Sequence, residues 1–165
     1  MDIIYKNIRE LSRQIVEVCT ERGLKVATAE SCTGGMISAA ITSVPGSSAV
    51  IELGVCSYSN RIKQKFLEVS ERTLEKETEY SIDCAEEMAD GVLKLSGADF
   101  AVSTSGIAGP SGSTEDDPIG TVYICVCSEE RGICERFEFP DTGRDNIRAA
   151  AAEKALSMLL DLIKK

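Results

Sequence analysis

"LKVATAESCTGGMISAAITSVP" (residues 24–45) joins two patterns in one stretch. "LKVATA" (24–29) is a short apolar run after Gly23 and reads as a strand. "CTGGMISAAITSV" reads as a helix closed by Pro45. A strand that runs straight into a helix is the unit of an α/β fold. In such folds, ligands gather beyond the carboxyl ends of the strands.

The flanking sequence repeats the alternation. Ile4, Ile8, Leu11, Ile15 and Val18 recur at helical spacing with charges between them, and Gly23 follows as a stop. "AVIELGVCSYS" (49–59) reads as a second strand after a short turn or helix at "PGSSA", and "NRIKQKFLEV" and "ERTLEKE" are helical in composition. Ile82, Ala85, Ala89, Val92 and Leu93 mark another amphipathic helix, with Ser81 as N-cap and Gly97 as its end. "ADFAVSTS" (98–105) is a strand running into the Gly- and Pro-rich loop "GIAGPSGSTEDDPIG". "TVYICVCS" and "ICERFEF" form a hairpin across "EERG", and Ile147, Ala151, Ala155, Met158 and Leu162 define a closing helix from about Asp145. Condensed to αβαβααββα, the order predicts a three-layer α/β/α sandwich around a mixed, mostly parallel sheet, one domain over residues 1–165.

Totals narrow the function. Twenty-seven acidic against 18 basic residues give a net charge of −9, and no basic stripe interleaves with aromatics, so no nucleic-acid partner is expected. No run approaches the roughly 20 apolar residues of a membrane span, and no secretory signal opens the chain, so the expected location is the cytoplasm. The seven cysteines contain no C-x-x-C pair and are expected as reduced, mostly buried thiols. There is no histidine. A Ser-His-Asp triad, a Cys-His pair and a His-ligated metal are therefore impossible, and any general base must be Lys, Tyr, a carboxylate or the amino terminus.

Three stretches leave strands where ligands gather: "ESCTGG", "YSNRIK" and "SGIAGPSG". Ser31 in the first serves either as a helix cap or as a nucleophile, since amides at a helix start also stabilise an oxyanion and Gly34 and Gly35 admit a substrate. Without histidine, its base would be a lysine kept neutral by burial. "YSNRIK" offers Lys63 and, beside it, Tyr58. Cys32 competes as nucleophile, because a thiol at a helix start has a depressed pKa. Arg144 and Arg148 lie near the last helix start, where the helix end and a guanidinium could share a phosphate, the plainer reading being a surface ion pair for each. The acidic run Glu115, Asp116, Asp117 reads as solvent-facing, and no metal site or cofactor is expected.

"AESCTGG", "PGSS", "YSN" with Lys63, "SGIAGPSG", "PIGTV" and "GRDNIR", in this order over about residues 8 to 160, resemble the CinA C-terminal domain family. Characterised members of that family are nicotinamide-nucleotide amidohydrolases. The resemblance implies hydrolysis of nicotinamide mononucleotide to nicotinate mononucleotide and ammonia. Carried over by position, Ser31 is the nucleophile, Lys63 its base, and Tyr58 helps to orient or relay the proton. Amides around Thr33, Gly34 and Gly35 form the oxyanion hole, and Asn60, Ser105, Gly106 and Arg144 bind substrate. The implied partner is a small pyridine nucleotide, and the implied assembly a homo-oligomer, a dimer. The chain departs from the family pattern at Asp117, where members commonly carry lysine, and at Ser113, where they carry glycine. Two alternatives stay open: a non-enzymatic nucleotide-binding or regulatory domain, and an amidase of another small carboxamide.

Overall fold

The structure, a computed structural model, describes residues 2–165. The elements are α1 (Asp2–Arg22), β1 (Val26–Glu30), α2 (Met36–Thr42), a 3₁₀ turn (Ser47–Ala49), β2 (Ile51–Cys56), α3 (Asn60–Leu67), α4 (Glu71–Lys76), α5 (Ile82–Ser96), β3 (Phe100–Gly106), β4 (Thr121–Cys127), β5 (Gly132–Glu138) and α6 (Arg144–Lys164). The condensed order expected from sequence understates the middle of the chain, since three helices separate β2 from β3 and three strands precede α6.

The sheet order is β2-β1-β3-β4-β5. β1 lies parallel to both β2 and β3, whereas β3–β4 and β4–β5 are antiparallel, so β4 alone opposes the others. Side chains alternate along each strand and feed two cores. Val26, Val102, Val122 and Ile124 pack with Ile15, Ile37, Ile147 and Leu156 under α1, α2 and α6. Ala27, Ala29, Ala101 and Cys125 pack with Met88, Ala89 and Val92 of α5 on the other face. The central strands β1, β3 and β4 are buried almost throughout because both faces are covered, whereas the edge strand β2 alternates with solvent and the edge strand β5 has no fully buried residue.

α5 holds α3 in place through a close backbone approach. A Cβ on Gly91 would lie 2.0 Å from the Leu67 carbonyl oxygen at the end of α3. Gly91→Ala should therefore force the two helices apart and lower stability by about 1–3 kcal/mol in a denaturant titration. Unchanged stability would mean that the helices slide freely.

Two expectations are corrected. The helix predicted from Cys32 begins at Met36, because Gly34 and Gly35 adopt left-handed φ values of 60° and 95° and turn residues 31–35 into a loop. Cys125 and Cys134, expected as thiols, face each other across β4 and β5 and form a disulfide with S–S 2.04 Å. Hairpin register, not local spacing, brings them together. The other five cysteines are free, and of these only Cys56 is exposed. No helix among the described residues is long and apolar enough to cross a membrane.

Candidate active site

Strand register assembles the site. Glu30, the last residue of β1, is level with Cys56 of β2 and Thr104 of β3. The segments that follow these strands therefore emerge along one edge of the sheet. The Ser31 amide donates to Thr104 O (2.9 Å) and the Ser57 amide to Glu30 O (2.8 Å), which ties the three exits together. α3 starts three residues after Ser57, and Lys63, one turn into it, reaches back beneath the edge.

Lys63 Nζ lies 3.1 Å from Ser31 Oγ and donates to Ser57 O at 3.0 Å. The lysine is 1% exposed and the serine 9%. No ion pair among the described residues includes Lys63. Burial, the largest influence, pulls its pKa below the ordinary lysine value of 10.5, and the nearby Cys84, Glu79 and Cys32 oppose that shift. An amine whose protonated form is disfavoured, set against a hydroxyl, is the arrangement a serine nucleophile needs when histidine is absent. Cys32 is a buried free thiol, as expected of the cysteines, and its setting does not favour the competing nucleophile reading. It sits before the helix start rather than on it, and burial pushes its thiol up to about 11, so at neutral pH it is no thiolate.

Ser31 and Lys63 open into a pocket of about 240 Å³ that Tyr58, Gly106 and Arg144 also line. Tyr58 stands 63% exposed on the rim. Its hydroxyl accepts from Arg144 Nη2 (2.9 Å), and Arg144 Nη1 donates to Gly109 O (2.7 Å), so the arginine straps the rim to the loop after β3. The described hydrogen bonds join Tyr58 to neither Ser31 nor Lys63, so its position does not support orienting or relaying the proton by direct contact. Asn60 and Ser105, expected to touch substrate, instead hold a residue that sequence reading missed. Asn60 Nδ2 donates to Glu79 Oε2 (3.3 Å), and Ser105 Oγ donates to Glu79 O. Glu79 and Tyr80 both line the pocket. They sit between α4 and α5, where no periodicity marks them.

The loop after β1 is held from within. The fully buried Glu30 carboxylate accepts from Thr33 Oγ1 (2.7 Å) and from the amides of Gly35 (2.9 Å), Ile37 (3.1 Å) and Ser38 (2.9 Å), with Ser38 Oγ at 3.0 Å. The Gly34 amide donates to Ser31 O (3.1 Å). The Gly34 and Gly35 amides, expected in an oxyanion hole, are thus already committed. Those of Cys32 and Thr33 donate to no other described residue. Arg148 is turned away from ligand binding, because it donates to Cys32 O (3.1 Å) and Thr33 O (2.9 Å) and braces the loop that carries Ser31, whereas Arg144 lines the pocket.

Asp117 lies outside the pocket. It accepts from Tyr123 Oη (2.8 Å) and pairs with Arg136 Nε (3.3 Å), so its charge is neutralised locally, and it is buried rather than solvent-facing. A wider groove of about 490 Å³ between α1, α6 and Phe139 lacks a buried base, its Lys154 lying over the Phe137 ring. Among the described residues, no group of three His, Cys, Asp or Glu side chains is placed to hold a metal ion.

Comparison with known proteins agrees with this frame. A CinA-like protein of Thermotoga maritima is 44% identical over 159 residues, covering 96% of this chain and 38% of that relative. A CinA-like protein of Desulfotalea psychrophila is 43% identical with the same coverage. The chain thus spans well under half the length of the curated relatives it matches. The crystal structure of the competence/damage inducible protein CihA from Agrobacterium tumefaciens superposes with TM-score 0.93 at 39% identity, covering 96% of both chains. The competence damage-inducible protein A (ComA) from Klebsiella pneumoniae gives 0.89 at 33%, covering 93% of this chain and 95% of that one. The family model for the CinA C-terminal domain matches residues 8–163, and the chain belongs to that family.

Proposed function

We propose that the protein is an amidohydrolase that converts nicotinamide mononucleotide to nicotinate mononucleotide and ammonia by Ser31/Lys63 chemistry. The observation that carries this reading is the 3.1 Å contact between Ser31 Oγ and a lysine amine that is 1% exposed. A buried lysine set against a serine hydroxyl, with no ion pair to hold its charge, supports Ser/Lys chemistry.

In the proposed sequence, neutral Lys63 accepts the Ser31 proton as Oγ attacks the carboxamide carbon. The tetrahedral oxyanion sits against the amide of Cys32, the residue after the nucleophile. Protonated Lys63 returns its proton to the departing nitrogen, and the C–N bond breaks to release ammonia. Water, deprotonated by Lys63, then cleaves the acyl ester and restores the Ser31 hydroxyl. The positive ring of the substrate makes the carbonyl carbon more electrophilic, and Arg144 at the rim faces the phosphate end.

Ammonia release from nicotinamide mononucleotide tests the reading. Wild type should turn over, Ser31→Ala should fall by at least ~10³-fold, and Cys32→Ala should keep most of the rate. Survival of Ser31→Ala with loss in Cys32→Ala would reassign the nucleophile. A well-folded wild type that releases no ammonia would make this a binding domain.

A further inference from the structure

Glu79 stands on the pocket wall as an anion without a cation. One carboxylate oxygen accepts from the neutral Asn60 amide at 3.3 Å, and no ion pair among the described residues includes Glu79. That contact is long for a carboxylate, which prefers charge-assisted partners at shorter range. The cations that line the same pocket do not ion-pair with it. Lys63 hydrogen-bonds to Ser31 and Ser57 and feels Glu79 only at longer range, and Arg144 reaches Tyr58 and Gly109, both neutral, so it keeps its charge for an anion. Tyr58 and Tyr80 line this pocket too, and aromatic faces attract cations. Ser105 and Asn60, one buried and one half-buried, hold Glu79 from its main chain and its side chain. A half-buried carboxylate held in place but left without a counter-ion is a site that a cationic ligand completes.

On the amidohydrolase reading above, we propose that Glu79 is the specificity-determining residue of this site, selecting carboxamides whose ring carries a positive charge over neutral ones. The pocket then runs from nucleophile and base, past an anion for the ring, to Arg144 for an anionic tail. The selection also feeds the chemistry. Glu79 is one of the charges that favour the protonated form of Lys63, and a cation seated against it offsets that influence and shifts the balance toward the neutral base.

The test uses nicotinamide mononucleotide and its reduced form, which share shape and phosphate but differ in ring charge, titrated into Ser31→Ala protein so that nothing turns over. Ser31→Ala should bind the charged ring about tenfold more tightly, a charge-assisted margin. Adding Glu79→Gln should bring the two affinities together, whereas Glu79→Asp, which keeps the charge, should restore part of the preference. Circular-dichroism melts show that each variant is folded. A preference that survives Glu79→Gln, or no binding of either ligand to folded Ser31→Ala, overturns the proposal. Because the readout is binding, a wild type that discriminates between the rings yet releases no ammonia would sink only the hydrolytic reading.

Discussion

Lys63→Met should lower kcat/KM for the nucleotide by about 10²–10⁴-fold, the range that a positioned general base contributes. Lys63→Arg should fail as badly, because a guanidinium stays protonated and cannot accept the Ser31 proton. Activity in the arginine variant would show that the site needs only a positive charge. Wild-type kcat/KM should rise with pH and level off above a value lower than 10.5, the ordinary lysine figure, because burial depresses the Lys63 pKa. The same shift acts on folding. Between the depressed folded-state value and 10.5, the unfolded chain binds a proton that the folded chain resists, so wild-type stability falls as pH drops through that window. Lys63→Met removes this penalty, and the variant should be the more stable protein at the low end of the window, with the gap narrowing as pH rises. Denaturant titrations at several pH values read this directly, and parallel curves for the two proteins would contradict it.

How much of this site is legible in sequence follows from what local pattern can carry. A strand, a turn and a helix at residues 24–45 place Ser31 at a sheet edge, and the lack of histidine directs attention to lysine. Lys63 itself becomes identifiable only through the order of family motifs, because nothing in its own neighbourhood separates it from Lys65. The structure supplies the reason: β1 and β2 are parallel and level at Glu30 and Cys56, so residues 32 apart in sequence meet at the same edge. Glu79 and Tyr80 were missed because they occupy an irregular link between two helices, where no periodicity reports burial. The Cys125–Cys134 bond was missed because hairpin register is set by the partner strand. The amides assigned to an oxyanion hole were partly misjudged for a related reason. A glycine turn read from sequence shows available donors, and only the folded chain shows that Glu30 already takes the Gly35 amide.

Glu30 therefore carries the second large effect. Its two oxygens receive five donors, more than the roughly four lone-pair positions of a carboxylate, and the group is fully buried. Glu30→Gln keeps the volume but turns one acceptor oxygen into an NH₂ group that meets other donors. Each stranded buried donor costs about 1–3 kcal/mol, so two or more should lower stability by at least about 2 kcal/mol in a denaturant titration. The change also removes what fixes the loop carrying Ser31. Arg148 braces that loop only through the Cys32 and Thr33 carbonyls. With its amides released, the loop should shift enough to lower turnover by about 10²-fold even in the folded fraction, the penalty for an ångström of misplacement. Activity normalised to folded protein separates the two effects. A folded Glu30→Gln with wild-type turnover would mean that Arg148 and the Ser31–Thr104 bond suffice to aim the nucleophile. A variant as stable as wild type would mean that the five donors find water or other acceptors, and that the carboxylate is not what holds the turn.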